Sequence, residues 1–196
     1  MKKYRKTRWA VLTAFVLSSP FITSCSQVAG LGVVSEKQSK FDGEKEVNMS
    51  PAIVVGTEFK TNYPLLGASW SEGSPNSVIL IIEHRGSISG GSGYSNIRTL
   101  EINVDGKFYK YTPRQYTAHS NSGYNNVSRT IYTQSRNVVS IPLSLAKRMV
   151  SAEVCMLRTS TSDGVFEQNF AKESNMGTAT AKSSMRKFLA KVEATH

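Results

Sequence analysis

The chain has 196 residues, with 24 Lys and Arg set against 14 Asp and Glu, for a formal charge of +10. Two cysteines exclude a framework of several disulfides. The histidines are His84, His119 and His196, and no Cys/His spacing of the zinc-binding kind occurs, so the sequence indicates neither a metal nor a cofactor.

The chain starts basic, with Lys2, Lys3, Arg5, Lys6 and Arg8 ahead of an apolar stretch at 9–22. Ser18, Ser19 and Pro20 interrupt that stretch, which falls short of the ~20 apolar residues a membrane span needs, so residues 1–24 read as a secretory leader. The leader closes on Ile22-Thr23-Ser24-Cys25, a branched apolar residue and two small residues before a cysteine. This tetrad resembles the lipobox of bacterial lipoproteins. The resemblance implies a diacylglyceryl thioether on Cys25, cleavage between Ser24 and Cys25 by signal peptidase II, and acylation of the new amino terminus. Three chains would anchor the protein stably, because each buried methylene contributes about 0.8 kcal/mol and one chain alone holds only marginally. Ser26 stands where an aspartate would favour retention in the inner membrane, so the resemblance implies the outer membrane, facing the periplasm. It covers the leader alone and says nothing of the rest.

Five of the 24 cations lie in the leader, and its removal leaves a charge of +5. So modest a balance bears on solubility rather than on nucleic acid, which is not an expected partner of an exported chain. Lipidation also consumes Cys25 and leaves Cys155 unpaired, in a strand-like stretch where a thiol is expected to be buried as a small hydrophobe.

Residues 25–50 carry little periodic apolar content and read as the lipidated cysteine and a flexible tether, about 25–30 Å from end to end. Residues 51–196 then make a single globular domain. Its first strands are expected at 52–59 and at 77–82, the latter a continuous apolar run suited to a central strand. Leu100, Ile102 and Val104 alternate with polar residues, and Asp105-Gly106 follows as a two-residue hairpin turn. That turn sets Val104 opposite Lys107, Ile102 opposite Tyr109 and Leu100 opposite Tyr111, which places one face on the core. Further strands are expected at 129–133, 137–141, 153–159 and 164–170. A short helix is expected at 142–150 and an amphipathic one at 180–194, where Met185, Phe188, Leu189 and Val192 form a single stripe. The order predicts an α+β domain, an antiparallel sheet with both helices packed on it. A β-sandwich with a peripheral helix is the alternative.

Catalytic signatures are weak. Gly86-Ser87-Ile88-Ser89-Gly90 has isoleucine where a nucleophile elbow needs serine, and Gly90-Gly91-Ser92-Gly93 lacks phosphate-loop spacing. Ser144…Lys147 and Ser184…Lys187 have the Ser-x-x-Lys spacing of acyl-transfer enzymes but no companion motif. Of the carboxylates, Glu101 is expected off the core face and Asp105 in the turn. His84 is expected at a strand end. The best recognition candidate is the Tyr- and Asn-rich stretch 111–132, with Arg114, Tyr116, Tyr124, Asn125 and Asn126 as possible partner-binding residues, since tyrosines among small amides offer contact area at low entropic cost. The sequence thus points to a lipid-anchored, non-enzymatic binding or assembly protein with an envelope protein as partner. A small hydrolase and a carrier of an apolar or sugar ligand are the alternatives.

Overall fold

The computed structural model describes residues 30–56, 63–88, 93–173 and 180–195. The leader, Ser24 and Cys25 lie outside the described residues. No helix among those described is long and apolar enough to cross a membrane.

Among the described residues, eleven strands and two helices follow in chain order: β1 (Val34–Gln38), β2 (Lys45–Ile53), β3 (Val55–Gly56), β4 (Leu65–Ser71), β5 (Ser77–Ile88), β6 (Ile97–Val104), β7 (Lys107–Tyr111), β8 (Ala118–Asn125), β9 (Thr130–Pro142), α1 (Leu143–Ser151), β10 (Cys155–Thr161), β11 (Gly164–Asn169) and α2 (Ala181–Thr195). They make two antiparallel sheets: a curled six-stranded one in the order β1-β2-β4-β5-β9-β8, and a five-stranded one in the order β3-β11-β10-β6-β7. The α+β class is as expected, with the strands divided between two sheets as in the sandwich alternative.

The inner face of the larger sheet follows from cross-strand registry. Met49, Ala68, Leu80 and Val139 form one buried row across four strands, and Val47 and Trp70 form part of another. Helix α2 lies against β1, β2 and β4 and buries the Met185, Phe188, Leu189 and Val192 stripe. Helix α1 closes the same core with Leu145, Ala146 and Met149. The hairpin pairs as its turn requires, Val104 with Lys107, Ile102 with Tyr109 and Leu100 with Tyr111. Asp105 and Gly106 take φ of 48° and 85°, the left-handed pair of a type I′ turn.

Three expectations need correction. The tether proposed for 25–50 does not extend over residues 34–50, which form β1 and most of β2; Val47 and Met49 are fully buried between Trp70, Ala68 and α2. Alternation of polar and apolar residues in Glu46-Val47-Asn48-Met49 is the mark of a half-buried strand rather than a linker. The strands expected at 129–133 and 137–141 are one continuous strand, β9, because Gln134, Ser135 and Arg136 have partners of their own on either face. His84 is not a boundary residue: it lies inside β5, buried, with its ring 5.5 Å from that of Phe166.

Candidate functional site

The core face of β9 changes character along its length. Val139 and Ile141 belong to the apolar core, whereas Thr133, Ser135 and Asn137 are buried polar residues on the same face. Buried polar groups require partners, and two loops supply them. Asn137 Nδ2 donates to the Gln115 carbonyl at 3.1 Å and to Thr117 Oγ1 at 3.2 Å. Thr133 Oγ1 donates to the Gly93 carbonyl. Ser135 Oγ accepts from the Ser95 amide at 3.0 Å and lies 3.1 Å from His119 Nδ1, while His119 Nε2 lies 3.2 Å from Asn96 Oδ1. Tyr94 packs against His119 with the rings tilted and their centroids 5.1 Å apart, and it hydrogen-bonds Asn121.

The series Ser135–His119–Asn96 has the connectivity of nucleophile, base and orienting amide. Its burial argues against that chemistry: Ser135 is 1% exposed and its oxygen already accepts an amide proton. The network fastens residues 93–96 and β8 to the sheet. Sequence reasoning missed it because its members lie up to 40 residues apart and none belongs to a recognisable motif.

On the opposite face of the same sheet, Glu83 is buried between two arginines. Arg85 Nε donates to Oε1 at 2.8 Å and Arg136 donates to Oε2 at 2.7 Å. Burial alone would raise the Glu83 carboxyl, but the hydrogen bonds from Arg136 and Arg85 outweigh it and hold the group below its ordinary range. Glu101 takes its expected place off the core, in a row of alternating charge with Lys110, Arg158 and Glu167. Cys155 is buried as expected, and burial pushes its thiol up to about 12.

The Ser-x-x-Lys pairs do not converge. Ser184 is buried while Lys187 is exposed, and Lys147 pairs with Glu193 at 2.8 Å.

The stretch 111–132 contains strand β8, whose length of roughly 25 Å divides the candidate residues into two groups. At one end Tyr124 is exposed, and Asn125 caps the following turn by accepting from the Val127 and Ser128 amides at 2.9 and 3.1 Å; Asn126 is exposed in that turn. At the other end are Arg114 and a fully exposed Tyr116. Arg114 lines a cleft of about 500 Å³ with Ile79, Tyr111, Gln115, Val138 and Ser140, and forms no ion pair with any described residue. The Arg114 group thus adjoins a concave surface of the kind that binds ligands.

Comparison with known proteins finds no matching family model, no matching curated protein and no matching solved structure.

Proposed function

We propose that the chain is a lipid-anchored protein of the bacterial envelope, held at the outer membrane through Cys25 and facing the periplasm, whose domain binds another envelope protein without catalysing a reaction. The observation that carries the anchor is the ordered leader: basic residues, a short apolar stretch, then Ile22-Thr23-Ser24-Cys25. The cleft beside Arg114, with Tyr116 exposed close by in sequence, supports the binding role and favours that end of 111–132 over the Tyr124 end.

Cys25→Ala is the test of the anchor. The variant should remain an uncut precursor and lose palmitate label; mature protein of unchanged size on the same membrane would refute it. For the binding role, a photo-crosslinking residue at position 116 should capture a discrete envelope protein in living cells, and one at position 124 should not. No adduct at position 116 counts against the role.

A further inference from the structure

The geometry points to a strand-addition site along β9, where Val138–Ser140 receives an extended, acidic segment of a partner protein. This rests on the binding role proposed above and specifies its partner.

Register determines which backbone groups of β9 are open. Pro142 lies opposite Ser77 on β5, and the next backbone bond runs from the Leu143 amide to the Asn76 carbonyl at 2.8 Å. In an antiparallel ladder, bonded and non-bonded pairs alternate. Asn137, Val139 and Ile141 therefore bond toward β5, while Val138 and Ser140 direct their amides and carbonyls the other way. Asn137 confirms the phase: its Oδ1, not a β5 carbonyl, accepts from the Val138 amide at 2.9 Å. Strand β8 covers that side only as far as Ala118, opposite Arg136. Beyond it, the Ser140 amide and the Val138 and Ser140 carbonyls have no partner among the described residues. Asn137 at one end and Pro142, which has no amide proton, at the other confine the open donor to Ser140.

The other sheet edges are blunted in the ways that prevent unwanted pairing. Strand β1 carries Glu36 and Lys37, β7 carries Lys107 and Lys110, β3 has two residues, and β8 is broken by an irregularity between Asn121 and Gly123. The Val138–Ser140 edge carries no charge and borders the 500 Å³ cleft. Open amides and carbonyls are what another extended backbone pairs with, and side-chain pockets then set its identity. Here Ile79, Tyr111 and Val138 offer apolar contact, and Arg114 is the charged residue of the lining. An acidic side chain in the incoming strand complements it.

The test uses the full chain as the cell makes it. In hydrogen exchange by NMR, the Ser140 amide should exchange about 100-fold faster than those of Val139 and Ile141. Panning a phage-displayed heptapeptide library should then select peptides rich in Asp or Glu that slow Ser140 exchange at least about tenfold. Ser140→Pro should abolish their binding and Ser140→Ala should not, because proline is tolerated where the amide makes no ladder bond. Arg114→Glu should reverse the selected charge. Should Ser140→Pro fail to fold, the exchange measurement and the Arg114→Glu selection still decide. The assignment is overturned if Ser140 is as protected as its neighbours, if no peptide is selected, or if selected peptides survive Ser140→Pro. A concentration-dependent dimer lost in Ser140→Pro would give the edge to a second copy and overturn it as well. Crosslinking at position 116 with a protected Ser140 leaves the binding role standing while this assignment falls.

Discussion

Glu83 has no apolar reason to be where it is: it lies on the outer face of a sheet, buried, beneath two half-exposed arginines. Removing its charge strands both guanidiniums, and Glu83→Gln is expected to lower stability by about 1–3 kcal/mol, less than a fully interior pair would lose because water still screens the arginines. The sign with pH follows from the lowered carboxyl. A group depressed in the folded state contributes stability above its unfolded value and loses it as pH falls through the folded one. The gap between wild type and Glu83→Gln should therefore be full at pH 7 and close in acid, below the ordinary carboxyl value of 4.5. Denaturant melts of both proteins from pH 7 to 2 measure it; a gap independent of pH would refute the account. Cys155 gives a second expectation at this scale. With the thiol buried and pushed up to about 12, almost none is thiolate at neutral pH, so a thiol reagent should label it only on unfolding. Labelling of the native protein as fast as a free thiol would contradict the burial. The Cys155 environment was legible in its apolar neighbours, whereas Glu83 was not, because the arginine that completes its site is 53 positions away.

Elements were legible where their partners are local or their stripe is complete. The β6–β7 hairpin is specified by Asp105-Gly106 and the flanking alternation, and α2 by four apolar residues at helical spacing. Strand β8 carries no such mark: Ala118-His119-Ser120-Asn121 has no apolar face, and its pairing with β9 makes it a strand. Strand β4 was also missed, since Leu66, Gly67 and Ala68 are all buried and alternation disappears. Its glycine has a specific reason. The partner β2 shifts register between Met49 and Ala52, and a Cβ at position 67 would meet the Met49 carbonyl oxygen at 2.9 Å and the Pro51 nitrogen at 3.2 Å. Both atoms are backbone of β2 and cannot yield as a side-chain end would, so Gly67→Ala should destabilise by about 1–3 kcal/mol, the range for overpacking. Thermal melts against Gly106→Ala, where a Cβ meets no atom but φ is 85°, separate crowding from backbone strain. Phe188→Ala should lose about 3–5 kcal/mol by opening a cavity under α2.

At the scale of the molecule, the decisive residues are 34–50, which read as a tether in sequence and form β1 and most of β2 in the fold. Gly30 and Val33 are tied to Ser50 by hydrogen bonds of 2.7 and 2.8 Å, so if Cys25 carries lipid as proposed, the five positions from Cys25 to Gly30 give the domain a reach of at most about 18 Å of extended chain. On the proposed anchoring the domain would work close to the membrane, where the proposed strand-addition edge would meet partners confined to the same layer. The same correction predicts the outcome of truncation. If 26–50 were a linker, its deletion would leave the melting curve unchanged. Instead it would remove β1 and most of β2, taking Val47 and Met49 from the core and uncovering Ala68, Trp70 and the face of α2 that packs on β2. Each large buried side chain lost costs about 2–5 kcal/mol, against a total stability of about 5–15 kcal/mol for a domain of this size. The shortened chain should therefore show no cooperative transition in circular dichroism and should bind a hydrophobic dye at room temperature. A cooperative melt at the wild-type midpoint would restore the tether and displace β1 and β2 from the fold.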